Sequence, residues 1–158
     1  MDKKEFLKSY DKARHKERKI ALMIEEYRAR QMGVAVKYSD MPKDTDLHDL
    51  SDYMVKLEEI QELYATQMAV TSKIFDIVMK ALDTVQDRDM YDVLVYRYVK
   101  CLNTVQISMK MNMSDWNVYK LEQKGIEKME VSFLDMETVD RLLAYKTIPD
   151  LRGCSKIA

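Results

Sequence analysis

Between Ser114 and Met129, side chains with hydrogen-bonding and stacking chemistry recur on one side of a helical wheel: Asp115, Trp116, Asn117, Tyr119, Lys120, Gln123 and Lys124. The opposite side carries Val118, Leu121, Gly125 and Met129. Asn and Gln amides pair with an adenine edge, a lysine ammonium reaches guanine acceptors, and aromatic rings pack on thymine methyls. Such a set on a free helix face is suited to reading base edges, and the residues expected to do so are Trp116, Asn117, Tyr119, Lys120 and Gln123. Lys110, Lys124 and Lys128 are the expected contacts to phosphate oxygens, which position a protein on a duplex without reading it. Each assignment has a plainer counterpart. Trp116 and Tyr119 fit packing against a crossing helix, and Lys124 and Lys128 fit ordinary solvated surface.

The flanking residues must hold that face outward. A short helix from about Thr104 would bury Ile107 and Met111, and a corner follows at Asn112-Met113-Ser114, with Ser114 as the N-cap of the next helix. Upstream, Asp87-Arg88-Asp89 opens a helix running to about Lys100. Residues 87–131 thus read as a three-helix module of helix-turn-helix type, in which helix 115–131 is the one that enters a major groove. A bundle corner with no nucleic-acid role has the same apolar spacing.

The rest of the chain predicts an all-α fold, with a long antiparallel helical hairpin (coiled-coil-like) preceding the module. Only 3 Gly and 2 Pro occur in 158 residues, so few positions interrupt helices. Residues 3–31 carry a seam at Phe6, Tyr10, Ala13, Glu17, Ile20, Ile24, Tyr27 and Gln31, alternating steps of four and three. Leu22 and Met23 are expected to widen it. Residues 50–82 repeat the pattern at Tyr53, Leu57, Ile60, Tyr64, Gln67, Thr71, Ile74, Val78 and Ala81, flanked by Leu50, Met54, Leu63, Met68, Phe75 and Leu82. The seams fit either an intramolecular hairpin or a homodimer. Met32-Gly33 is expected to end the first helix. A Pro42-containing linker near 33–49 follows, with a short extended piece through Val34, Val36 and Tyr38, and Ser51 or Asp49 caps the second helix. The expected division is a hairpin over 1–86, the helix-turn-helix unit over 87–131, and a short amphipathic helix with a loose tail over 132–158. The recognition helix is expected to run on to about Phe133, and the last helix to span residues 135–145.

Charge is uneven. Residues 1–33 hold ten Lys/Arg against six Asp/Glu, residues 34–86 five against ten, and residues 87–131 seven against seven. A neutral module gains little from counterion release, so tight DNA binding would call on a partner or a dimer. The basic run Lys12, Arg14, Lys16, Arg18 and Lys19 fits a solvated helix face better than phosphate contact. The 13 Met residues fit flexible core filling ahead of an adaptable docking surface. Asp44, Asp46, Asp49 and Asp52 fit a capped helix start ahead of a cation site.

Catalysis finds no support. His15 and His48 stand in separate segments without a paired nucleophile, and no phosphate-binding loop or metalloprotease motif is present. Cys101 and Cys154 make no metal-ligand spacing, so neither a metal site nor a cofactor is expected. The first residues, MDKKEF, lack a signal-peptide core, and no apolar run would span a bilayer. The cytoplasm of a bacterial host cell is the expected location.

Two segments carry a resemblance to a known family. The first is YSDMP at residues 38–42 followed by SDYMVKLEEI at 51–60, and the second is RYVKCLNTVQISMKMNMSDWNVYKLEQKGIEKM at 97–129. In that order they resemble small late-transcription regulators of phages and prophages of Gram-positive bacteria, the ArpU-like and RinA-like proteins. The C-terminal half of these is similar to the last helix-turn-helix domain of sigma factors. The resemblance implies a DNA-binding transcriptional regulator of phage late genes, acting on double-stranded promoter DNA with host RNA polymerase. Alternatives are an interaction protein that binds polymerase or another regulator without reading DNA, and a small terminase-like packaging subunit. The chain departs from the family pattern at Cys101, where Gly is usual after the first helix, and at Asn112, where Gly is frequent in the turn. Gly125 stands for a usual Ala, and Glu122 adds an acidic group to the recognition helix, while Ser108 keeps the small residue of the middle helix.

Overall fold

The computed structural model describes residues 1–37 and 44–145. Among them every regular element is helical: α1 Lys3–Lys37, α2 Asp44–Leu82, α3 Arg88–Leu94, α4 Thr104–Met111, α5 Asp115–Lys128 and α6 Phe133–Ala144. A π-helical turn, Val95–Val99, follows α3 directly. The chain is all-α, as the scarcity of Gly and Pro predicts.

Two compact units form. One combines Met1–Arg14 with Val70–Tyr145, and the other is centred on His15–Ala69. In the second, Ile20 and Ile24 of α1 are buried with Leu57 and Ile60 of α2. Tyr27 lies against Tyr53 with ring centroids 5.4 Å apart, and Gln31 Nε2 approaches Met54 Sδ at 3.6 Å. Residue numbers rise on α1 as they fall on α2, so the arms of this unit pair antiparallel. Leu22, expected in the stripe, is 63% exposed. It lies two residues from both Ile20 and Ile24, which at 100° per residue places it on the back of the helix. Leu50, Met54 and Met68 are exposed as well, because two helices cover only one stripe of each other.

The other unit has the larger core. Phe6, Leu7 and Ala13 from α1 and Val70, Ile74, Val78, Ala81 and Leu82 from α2 meet Met90 and Leu94 of α3, Tyr98, Met129 and Val139 of α6. Tyr10 and Phe75 pack in a tilted arrangement, with centroids 5.2 Å apart and planes 52° apart. A second cluster, Val93, Ile107 and Val118, joins α3, α4 and α5. Every one of its three members is fully buried, a stabilisation of about 1.5–3 kcal/mol each.

Several boundaries differ from those expected. α1 continues through Gly33 to Lys37, so Val34 and Val36 are helical rather than extended. A lone Gly weakens a helix by about 1 kcal/mol but ends it only where the backbone turns left-handed, and no described Gly has positive φ. α2 starts at Asp44, so Asp49 and Ser51 lie within it and neither is its cap. Most of the linker expected at 33–49 is therefore helix, while Tyr38, Pro42 and the tail 146–158 lie outside the described residues. At the other end, α5 stops at Lys128 and reaches neither 131 nor 133. Met129 is extended (φ −65°, ψ 132°) and fully buried, so its side chain turns into the core and the chain leaves the helix axis. Ser132 then caps α6 by accepting from Asp135 N at 3.1 Å, which starts that helix at Phe133 and ends it at Ala144.

Candidate nucleic-acid interface

α4, a tight corner and α5 have the order and caps expected of a helix-turn-helix. Asn103 and Gln106 form a reciprocal capping box at the start of α4, with Gln106 N to Asn103 Oδ1 at 2.9 Å and Asn103 N to Gln106 Oε1 at 3.0 Å. At its end Asn112 adopts φ 52°, ψ 50°, the left-handed conformation that Asn tolerates better than most residues. Ser108 Oγ donates to Met113 O at 2.6 Å and closes the corner from the inside. Ser114 then accepts from Asn117 N at 3.3 Å as the N-cap of α5.

The far end of α5 is held too. Lys3 Nζ donates to Glu127 O at 3.1 Å and Met129 O at 2.6 Å, placing a cation on carbonyls that the helix leaves unbonded. Thr84 Oγ1 accepts from Glu130 N at 2.8 Å. Inside, an added Cβ on Gly125 would stand 2.9 Å from Leu94 Cδ1. The glycine therefore lets α5 approach α3 closely.

Glu122 lies on the inner side of α5, 5% exposed. Tyr98 Oη donates to Glu122 Oε1 at 2.7 Å, and Arg97 Nη2 lies 3.3 Å from Oε2. The same Nη2 donates to Thr104 Oγ1 at 2.5 Å. Burial, the bond to the Glu122 carboxylate and the negative charge of that carboxylate all hold the Tyr98 phenol above the usual tyrosine range. The acidic residue that weighs against DNA binding in the sequence is thus turned inward and answered by Arg97. What remains on the outer side of α5 is less acidic than the sequence of the helix suggests.

Arg97 and Tyr98 both lie in the π-helical turn. Lys100 N donates to Val95 O and Leu102 N to Tyr96 O, so the chain widens just before the corner at Cys101. There φ is 56°, the left-handed conformation that Gly adopts most readily.

The predicted base-reading residues sit together. Asn117, Lys120, Trp116 and Tyr119 are exposed, the last two by 62% and 51%, and Gln123 is half-buried beside them. Trp116 stacks on Tyr119 (centroids 5.7 Å apart, planes 21° apart), and Lys120 Nζ lies 5.4 Å from the Trp116 ring centroid. Both aromatics face solvent, so neither is packed into a crossing helix. Stacked rings with an ammonium beside them form a preset, partly apolar platform that keeps its hydrogen-bonding edge free. Of the predicted phosphate contacts, Lys124 and Lys128 are exposed at the C-terminal half of α5, and Lys110 is exposed at the end of α4. Lys110 Nζ lies 5.5 Å from the Tyr96 ring centroid, and Lys100 Nζ lies 5.6 Å from the same ring. Lys100 is outside the sequence-predicted set. Its spacing of four from Tyr96 is a weak signal in the sequence, and only the fold brings Lys110 to that ring.

Compared with protein-family models, curated proteins and solved structures, this chain matches none.

Proposed function

We propose that this chain is a DNA-binding transcriptional regulator that lays the outer face of α5 in a major groove. The observation that supports it most is the Trp116–Tyr119–Lys120 platform, exposed together with Asn117 while Glu122 is turned away. Asn117 and Gln123 supply amide pairs for adenine, Lys120 reaches guanine, and the aromatic pair meets thymine methyls. Lys110, Lys124 and Lys128 flank that face as phosphate contacts. The resemblance carried by residues 38–42, 51–60 and 97–129 makes phage late promoters the expected target and host RNA polymerase the expected partner. A neutral residue 87–131 module fits binding that polymerase or a second copy of the chain reinforces.

Gel shifts and footprinting on late-promoter duplexes, with and without host polymerase, test this reading. The K120A/Q123A double variant is expected to lose sequence preference while its helical circular dichroism stays unchanged. Retained preference in that variant removes α5 as the reader. A second reading has its own support: Val105 and Met109 of α4 are 52% and 77% exposed. Such a pair suits a protein partner, as in an adaptor that touches polymerase and leaves the duplex alone. Capture of polymerase without protection of any duplex would favour it.

A further inference from the structure

We infer that Lys100 and Lys110, gathered at the Tyr96 ring, form a second point of attachment to a duplex: a clamp on backbone phosphates that reads no sequence. The inference rests on the DNA-binding reading of α5 and adds a surface to it. Both ammonium groups lie over the same ring, at 5.6 and 5.5 Å from its centroid, so they stand no more than about 11 Å apart. One strand carries a phosphate about every 3.4 Å of helix axis, so a pair within that bound fits phosphates of one strand no more than about three steps apart.

The two lysines come from different elements, Lys100 from the end of the π-helical turn and Lys110 from the last turn of α4. Two like charges gathered at one ring gain from an anion between them, and neither lysine makes an ion pair with a described residue. Lys80 and Arg97, by contrast, each have a carboxylate within 4 Å. The ring that gathers them is fixed from beneath. Tyr96 packs against the Val93–Ile107–Val118 cluster, and Val118 is the inner side of α5 itself. One small core therefore sets the spacing between the lysine pair and the base-reading face. Attachment at two points held in fixed relation sets the angle at which α5 meets the groove, which phosphate contacts commonly do.

Salt titration of binding separates this clamp from base reading. With the full chain on a mixed-sequence duplex and on a promoter duplex, Lys100→Gln and Lys110→Gln are each expected to reduce the slope of log K against log salt by about 0.9, and the double variant by about 1.8. Affinity should fall by the same factor on both duplexes, leaving the ratio between them intact. Lys73→Gln, at an exposed lysine of α2, should change neither. Wild-type slope in the Lys100 and Lys110 variants overturns the clamp while the α5 reading stands. An equal loss in the Lys73 variant also overturns it, since net charge alone would then account for the effect. A wild-type chain that binds neither duplex, with or without polymerase, removes the α5 reading and the clamp together.

Discussion

The two compact units draw on the same pair of long helices with the same four-three spacing, yet they bury their seams to different extents. In the unit of Met1–Arg14 and Val70–Tyr145, Phe6, Leu7, Ile74 and Val78 are fully enclosed, because α3, Tyr98, Met129 and α6 cover what a second helix alone would leave open. In the unit centred on His15–Ala69, Ile20 is enclosed as well, but Ile24, Leu57 and Ile60 keep a few per cent of their surface, and Leu22, Met54, Val55 and Met68 on the flanks are exposed. Periodicity decides which face turns inward; the number of covering elements decides how completely. The candidate interface belongs to the enclosed unit, where its supports are buried, and a recognition surface needs packed supports to hold its side chains in a fixed pattern.

Substitutions that probe this contrast divide by expected size. Leu94→Ala opens a cavity in the enclosed unit and is expected to destabilise it by about 2–5 kcal/mol. Leu57→Ala, beside open flanks that can close in, should fall at or below the lower end of that range. Urea unfolding of both variants measures the gap, and equal losses would remove the distinction between the units. Glu122→Ala comes next. It strands the Tyr98 hydroxyl and leaves Arg97 without its carboxylate, a loss of about 1–3 kcal/mol. No described charged side chain of the two-helix unit is buried as Glu122 is, so none of them should match it.

Tyr98→Phe removes one hydrogen bond, about 1 kcal/mol, and also changes the response to alkali. The folded state keeps the Tyr98 phenol protonated, above its ordinary range, so above the unfolded value of about 10 the unfolded chain loses a proton that the folded chain retains. Stability is then full below that pH and falls as pH rises past it. The alkaline arm of a thermal-melt series should become shallower in Tyr98→Phe; an unchanged arm would remove Tyr98 as its source. The smallest effect is expected at Cys101. Its φ of 56° favours Gly, so Cys101→Gly should raise stability by up to about 1 kcal/mol, moderated by the greater freedom of Gly in the unfolded chain. A lower melting temperature would mean that the Cys101 Sγ contact with Asp11, at 3.3 Å, outweighs the backbone strain.

Much of this architecture can be read from residue spacing. Seams at steps of four and three locate the buried stripe of α1 and α2 well, and Ser114, Asp87 and Asn112 mark the caps and the corner. The polar face of α5 also follows from the wheel, because exposure there is the complement of burial at Val118, Leu121 and Gly125. What spacing does not show is set by contacts distant in sequence. Glu122 looks like a surface charge until Tyr98 and Arg97 are known to meet it. Met129 looks like one more turn of helix until the core draws it inward. Leu22 looks buried on composition alone, though its angle on the wheel already places it outside. Gly33 resembles a terminator and is only a weak point, and Lys100 acquires meaning through Lys110 and a shared ring.

The wide turn at Val95–Val99 has a bearing on how this chain tolerates change. It fits one more residue into the helix than a regular ladder would, with Tyr96 serving the small cluster under α5 and Tyr98 the large core. Removing a single residue there would wind the segment tighter and swing everything after it by about 100°, detaching one aromatic or the other. Homologous or designed variants should accept exchanged side chains along this stretch far more readily than any insertion or deletion.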